Sequence, residues 1–175
     1  MTKKRKNKIQ IKIATYEFKI IIPFMRKLIG YMITWTTYGT WLQGDERRYV
    51  KDGETLDVNP NLKKSNLLSL KQQIIKLTSR QKNTARNAIL EEAKRINHKI
   101  YAIAVWSNHI HIIAENNQIP ISQAVIRYKN VATAALKRTG LNGKIWTKGF
   151  DKRFCFTEKE LKQRIEYVNE HNDKK

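Results

Sequence analysis

The alternation of apolar and polar positions is clearest between residues 100 and 115, where it predicts two paired strands. Ile100–Trp106 is almost wholly apolar, which is typical of a strand covered on at least one face. Ser107 and Asn108 form a short turn, and His109–Glu115 then alternates. The two segments therefore predict an antiparallel hairpin. One face of its second strand carries His109, His111 and Ile113, and the other carries Ile110, Ile112 and Ala114.

Helical spacing appears on both sides of this hairpin. Thr78 and Gln81 form a capping box that opens one helix ending near His98, with an apolar stripe of Ala85, Ile89, Ala93 and Ile96. We predict that Ser122 caps a second helix and that Gly140 ends it. Its apolar positions are Val125, Tyr128, Ala132, Ala135 and Leu136. A third helix is predicted from Glu158 to about Asn172, with Leu161, Ile165 and Val168 on one side and Glu160, Arg164, Tyr167 and His171 on an adjacent polar stripe.

Two further strands complete the plan. Tyr31–Thr37 is aromatic and β-branched, and Lys152–Phe156 is a short segment before the last helix. The order strand, helix, strand, strand, helix, strand predicts an α+β fold, a ferredoxin-like βαββαβ antiparallel sheet with helices on one face and an added C-terminal helix. Gln43–Ser65 has no clear period and is predicted to be a long surface excursion.

The length and charge limit the function classes. The 175 residues, 41% of them hydrophobic, suffice for one globular domain with a real core. We predict a basic N-terminal extension over residues 1–28 and that domain over residues 29–175. Thirty-five Lys and Arg against 15 Asp and Glu give a net charge of +20, which favours nucleic acid as the partner and, being spread along the chain, disfavours a membrane. The lone Cys155 fits a reducing, cytoplasmic location.

The candidate chemistry comes from two histidines and a tyrosine. Because His109 and His111 share one strand face, their imidazoles can act as a two-ligand metal claw. Tyr167 and His171 lie four residues apart, so one helix face can supply a phenol and a third imidazole. A metal beside a tyrosine suggests covalent chemistry on phosphate. Each residue also has a simpler interpretation, as a polar surface histidine, a boundary tyrosine or a helix-capping imidazole.

Aromatic and basic side chains occur together in two places. Trp35, Tyr38 and Trp41 lie near Arg47 and Arg48, where rings could stack unpaired bases beside cations, although core packing also suits Trp35. A second set of neighbouring aromatic and basic residues includes Trp146. The predicted DNA-binding residues are Trp35, Tyr38, Arg47, Arg48, Arg127, Lys148, Lys152 and Arg153.

Four segments in order resemble a known family, the single-tyrosine transposases of the HUH superfamily, including the REP-associated tyrosine transposases and related insertion-sequence transposases. They are YMITWTTYGTWLQGD from Tyr31, SNHIHII from Ser107, IWTKG from Ile145 and RIEYV from Arg164. The resemblance implies a metal-dependent endonuclease and strand-transferase that acts on single-stranded or hairpin DNA. It implies that Tyr167 is the nucleophile and that His109 and His111 bind Mg or Mn.

The position one turn after the tyrosine departs from the family pattern. Relatives often have Asn or Gln there, whereas this chain has His171, which we expect as third ligand with Asn169 and Asn172 as alternatives. Three imidazoles would shift the preference toward Mn, Co or Zn. Two other functions stay open: a non-catalytic nucleic-acid-binding module, and a phosphodiesterase that uses an activated water. Either a monomer or a homodimer is expected.

Overall fold

The computed structural model describes residues 26–51 and 54–173, apart from the side chains of residues 50–51 and 171–173. Most of the predicted N-terminal extension, residues 1–25, therefore lies outside the described residues. Among the described helices, none is long and apolar enough to cross a membrane.

A four-stranded antiparallel sheet forms the centre of the fold, and its strands are β1 (Gly30–Thr36), β4 (Ile100–Val105), β5 (His109–Glu115) and β6 (Asp151–Cys155). They lie in the order β4-β5-β1-β6. The helices of the predicted plan are α2 (Ser79–Arg95), α3 (Ile121–Lys137) and α4 (Glu158–Asp173). This arrangement confirms the ferredoxin-like plan that the hydrophobic periods predict.

The two faces of the sheet are covered by different helices. Helices α2 and α3 pack on one face, where Ile33, Trp35, Ile110 and Ile112 join one large apolar cluster. Helix α4 packs on the other face, where Leu161 and Val168 contact a second cluster formed by Met32, Ala102, Ala104, Ile113 and Cys155. The period-2 alternation of β5 thus sends Ile110, Ile112 and Ala114 into the first cluster and sends Ile113 and the two histidines toward the α4 side.

Two predictions about the connections need revision, because the first is incomplete and the second is wrong. The excursion at Gln43–Ser65 contains a small hairpin, β2 (Tyr49–Lys51) and β3 (Glu54–Leu56), and the start of α1 (Pro60–Leu68). Helix α1 is opened by Asn59, whose side chain accepts a hydrogen bond from the Leu62 amide, and it has no buried residue. Without a buried face it leaves no apolar stripe in the sequence.

The second error concerns the start of α3. Ser122 lies inside the first turn of this helix and is not its cap, because Pro120 occupies the N-cap position and no side chain caps the helix there. Proline favours a helix start through its fixed φ angle, and it takes the position that a serine would otherwise occupy.

A buried histidine, His98, ties the end of α2 to the sheet and to α3. Its Nε2 donates to the Glu115 carbonyl (3.2 Å), with the Tyr31 hydroxyl at 3.1 Å, while its Nδ1 accepts from the Tyr128 hydroxyl at 2.7 Å. A ring that donates through one nitrogen and accepts through the other is neutral. Burial favours that neutral form and lowers the pKa of His98.

The His98 network predicts a pH-dependent stability. The unfolded chain protonates this ring at its ordinary pKa of 6.5, whereas the folded chain resists protonation. The stability due to His98 is therefore complete above that value and declines as the pH falls below it. Between about pH 7.5 and about pH 5.5, the urea midpoint should fall more in the native protein than in a His98→Gln variant. Equal pH slopes for the two proteins would contradict this assignment.

Candidate active site

The two histidines of β5 lie side by side on the sheet face that α4 covers. Their ring centroids are 4.6 Å apart. On the neighbouring strand β1, Thr34 is the cross-strand partner of His111 and Thr36 is the partner of His109. A pair of imidazoles held by a sheet in this way is a rigid base for a site.

Each imidazole is oriented by a short hydrogen bond at its Nδ1. The side-chain oxygen of Asn108 accepts from His109 Nδ1 at 2.7 Å, and the Thr34 hydroxyl lies 2.7 Å from His111 Nδ1. The indole of Trp106 also stacks on the His109 ring, with centroids 5.9 Å apart and planes 6° from parallel. Because Asn108 fixes the proton of His109 on Nδ1, Nε2 is the ring atom suited to coordinate a metal.

Tyr167 approaches this pair from α4 of the same chain. Its ring centroid is 5.9 Å from that of His111, and the ring is 45% exposed. Leu161 and Val168, both buried, hold the helix on the sheet. The start of α4 is fixed by a capping box, in which Thr157 Oγ1 accepts from the Glu160 amide and the Glu160 carboxylate accepts from the Thr157 amide. The Phe156 amide, which donates to the Glu160 carboxylate at 2.7 Å, is the main cause that lowers the pKa of Glu160, and the Thr157 amide adds to it.

A cleft of about 700 Å³ joins Tyr167 and His111 to a basic wall. Four arginines line it: Arg47, Arg48, Arg153 and Arg164. Three of them are partly engaged by carboxylates, Arg47 by Asp45 at 2.7 Å, Arg48 by Asp57 at 3.3 Å and Arg153 by Asp151 at 3.1 Å. The buried Nε of Arg164 has no hydrogen-bond partner among the described residues. Guanidinium groups that line the same cleft as a tyrosine form a surface suited to a phosphate.

The loop that carries Arg47 is held by its own ion pairs. Arg47 donates to both oxygens of Asp45 and to the Thr40 carbonyl, and Lys63 lies 3.7 Å from Asp45. The hydrogen bond from Arg47 is the main cause that lowers the pKa of Asp45. Arg47 also stacks over the Trp41 ring at 5.3 Å. The loop therefore presents a guanidinium and an indole together at the cleft.

The structure brings together some predicted site residues and separates others. His109, His111 and Tyr167 form one cluster, and Arg47, Arg48 and Arg153 line the adjoining cleft. The remaining predicted DNA-binding residues do not line this cleft; they are Trp35, Tyr38, Arg127, Lys148 and Lys152.

These five residues have other surroundings. Trp35 is buried in the core. The Tyr38 hydroxyl accepts from the Lys71 amide. Arg127, on α3, pairs with Glu92 at 3.6 Å. Lys148 is exposed before β6, and Lys152 lies over the Phe154 ring.

The third metal ligand is a separate question. His171 belongs to α4, one turn after Tyr167, but its side chain and that of Asn172 lie outside the described residues, and Asn169 is exposed. Within the described part of the chain, no group of three or more His, Cys, Asp or Glu side chains is arranged to hold a metal.

Sequence reasoning missed three residues at the site, Thr34, Asn108 and Arg164. Asn108 directly precedes His109, so its position in the turn was a readable signal. Arg164 is one helical turn before Tyr167 on the predicted polar stripe. Thr34 gave no signal, because its pairing with His111 depends on a register between strands far apart in the chain.

Comparison with known proteins identifies the family. Residues 66–171, more than half of the chain, match the family model described as "Transposase IS200 like". The chain therefore belongs to the IS200-like transposase family. No curated protein matches it.

Two solved structures are similar in fold. One is a REP-associated tyrosine transposase bound to a REP hairpin, with a TM-score of 0.51 and 16% identity over 96% of this chain and 70% of that chain. The other, assigned as a transposase from Deinococcus radiodurans, has a TM-score of 0.44 and 12% identity over 83% of this chain and 92% of that chain. The first supports the fold assignment.

The hydrogen bond between Asn108 and His109 predicts a defined tautomer. In the metal-free protein, the His109 ring should carry its proton on Nδ1, as imidazole ¹⁵N chemical shifts would report. Asn108→Ala should give a mixture of tautomers at His109, because the acceptor is lost while the backbone stays. Ser107→Ala, in the same turn, is the matched control and should leave the shifts unchanged. A proton on Nε2 in the native protein would contradict the geometry.

Proposed function

We propose that the protein is a transposase that cuts and rejoins single-stranded DNA through a covalent bond to Tyr167. The observation that carries this proposal is the position of Tyr167, which stands beside His111 in an arginine-lined cleft of the same chain. Membership of the IS200-like transposase family supports it independently.

The reaction follows from the chemistry of a phenol and a phosphodiester. The Tyr167 oxygen attacks the phosphorus, an oxygen–phosphorus bond forms and the phenolic proton is lost. The bond from phosphorus to the leaving oxygen breaks, and that oxygen takes up a proton as a strand-end hydroxyl. The phosphotyrosine keeps the bond energy, so a second hydroxyl can reverse the step on another strand without an external energy source.

The donor set at the histidine pair fits a divalent metal. His109 and His111 would hold it through their Nε2 atoms, and Asn108 and Thr34 would orient the rings. His171 is the proposed third ligand, with Asn169 and Asn172 as the alternatives. We propose Mg or Mn, and three imidazoles would favour Mn, Co or Zn over Mg. When bound, such an ion offsets the charge that builds up on the phosphate oxygens.

The protein's own side chains bind and orient the DNA phosphates. Arg164 lies one helical turn before Tyr167 in the cleft, so its guanidinium can hold a phosphate next to the nucleophile. Arg47, Arg48 and Arg153 extend the basic wall for the neighbouring phosphates. Their carboxylate partners keep these side chains in place before DNA arrives.

The proposed substrate is single-stranded or hairpin DNA. The similar solved structure is bound to a REP hairpin, which favours a hairpin for this protein too. One chain carries both the tyrosine and the histidine pair, which supports a monomer as the active unit, and a homodimer is the alternative. We expect such an enzyme to act in the cytoplasm.

Replacing the nucleophile tests the proposal directly. Wild-type protein incubated with Mn²⁺ and labelled single strands and hairpins of varied sequence should give a protease-sensitive adduct on a denaturing gel. Tyr167→Phe should abolish the adduct and change DNA affinity by less than about twofold, because only an oxygen is lost. Tyr101→Phe, a tyrosine outside the cleft, is the matched control and should retain the adduct.

The same gel separates the alternatives. An adduct that persists in Tyr167→Phe would refute the assignment of the nucleophile. Cut strands without any adduct would instead favour a phosphodiesterase that uses water. Binding without cutting would favour a non-catalytic module.

Thr34 tests the metal site. Thr34→Val removes the hydroxyl that orients His111 and should weaken Mn²⁺ binding by about 10- to 100-fold, the usual effect of losing such a contact. Isothermal titration calorimetry measures this without DNA. Thr36→Val is the matched control, since Thr36 lies on the same face of β1 but bonds to Thr147. Equal losses in the two variants would show that Thr34 has no special role in positioning His111.

A further inference from the structure

A second cavity, of about 300 Å³, opens beside the cleft at the edge of β1. The ladder between β1 and β6 ends at the pair Thr34 and Asp151. The next backbone pairing on this side of β1 is the isolated bridge between Thr37 and Trp146. The intervening residues 148–150 leave the ladder, and the cavity fills the resulting gap. It shares Thr34, Trp41, Tyr49 and Asp151 with the cleft, so the two spaces are adjacent.

We propose that this cavity, which we term the base pocket, holds one unpaired nucleobase of the DNA strand whose phosphate lies at Tyr167. The inference deepens the proposed function and rests on it. The volume is at the lower end of the range for small-ligand sites, about 300–1,000 Å³, and so suits one base and not a base pair.

The walls of the base pocket have the chemistry of a nucleobase site. The aromatic residues Trp41, Tyr49 and Phe150 line it, and aromatic rings bind unpaired bases by stacking; Trp35 also borders it but is buried in the core. Thr36 and Gly149 add polar groups to the same wall, and each also bonds within the protein, Thr36 to Thr147 and the Gly149 carbonyl to Lys129. A base needs this combination of flat apolar surface and a few polar groups at its edge.

The pocket wall is also held in place before any ligand binds. Lys129, on α3, donates through its Nζ to the carbonyls of Thr147 and Gly149, at 2.9 Å and 2.8 Å. The same ammonium lies 5.8 Å from the centroid of the Trp35 ring. Helix α3 therefore fixes both the loop and the indole, so the shape of the pocket does not depend on DNA.

A binding experiment on the Tyr167→Phe protein tests the base pocket apart from catalysis. The probes are the four single-base DNA octamers and an abasic octamer with the same number of phosphates, so charge is constant. At least one base-containing octamer should bind about tenfold tighter than the abasic one. Phe150→Leu, which removes a ring but keeps an apolar side chain, should reduce this preference about fivefold. Phe156→Leu, an exposed ring outside both cavities, is the matched control and should retain it.

A crosslink gives a second measurement that does not depend on the stability of any variant. An octamer containing 5-iodouracil, irradiated on the Tyr167→Phe protein, should attach to the peptide of Trp41 or Phe150. Attachment elsewhere, or equal base preference in the two phenylalanine variants, would overturn the base pocket. If the wild-type adduct still forms in that case, the pocket fails while the proposed function stands. If no adduct forms but the preference depends on Phe150, the pocket stands and the catalytic proposal fails.

Discussion

The packing of α4 on the histidine face of the sheet is the contact on which the rest of the site depends. Leu161 and Val168 are buried against apolar residues of the strands, and this fixes both the rotation and the axial position of the helix. Because α-helical positions repeat every 3.6 residues, setting those two side chains also sets the direction of Tyr167. The tyrosine reaches His111 for that reason, although the two are 56 residues apart in the chain. If this apolar contact were lost, the chain would still contain every site residue, but Tyr167 would no longer be held beside His111.

The sequence predicted the sheet, its main helices and the histidine–tyrosine cluster, because each depends on a period that can be read locally. Alternation in β5 determines which face His109 and His111 share, and the capping box at Thr78 marks the start of α2. Helix α1 was missed because it buries no side chain, so its only signals were Asn59 and Pro60 at its start. The partnership of Thr34 with His111 could not be predicted, since it requires the register between β1 and β5, and adjacent registers differ by one residue in sequence but by a whole face in space.

Charge alone was a poor guide to which cations surround the cleft. With 35 basic residues in the chain, lysines and arginines occur on both faces of the sheet, and their number does not select one. Arg47, Arg153 and Arg127 share one side-chain type, so what separates the first two from Arg127 is the acidic residue that each one binds. Asp45 and Asp151 bind Arg47 and Arg153, which line the same cleft as Tyr167, whereas Glu92, which is 6% exposed, binds Arg127 on the α2–α3 side. Because there are only 15 acidic residues, their positions indicate better than those of the 35 basic residues where an arginine is held.

The interruption of the β1–β6 ladder links the fold to the recognition of a strand. A regular ladder beyond Thr34 and Asp151 would pair the backbone of β1 and close the space that Phe150 and Trp35 now line. Departures from a ladder re-aim side chains and commonly occur next to active sites. Here the departure begins at Thr34, the residue that also contacts His111, so one position on β1 borders both the reacting group and the base pocket. A nucleotide held in that pocket would therefore fix the position of the adjacent phosphate at Tyr167. Recognition of the base and alignment of the phosphate for attack would then depend on the same contact.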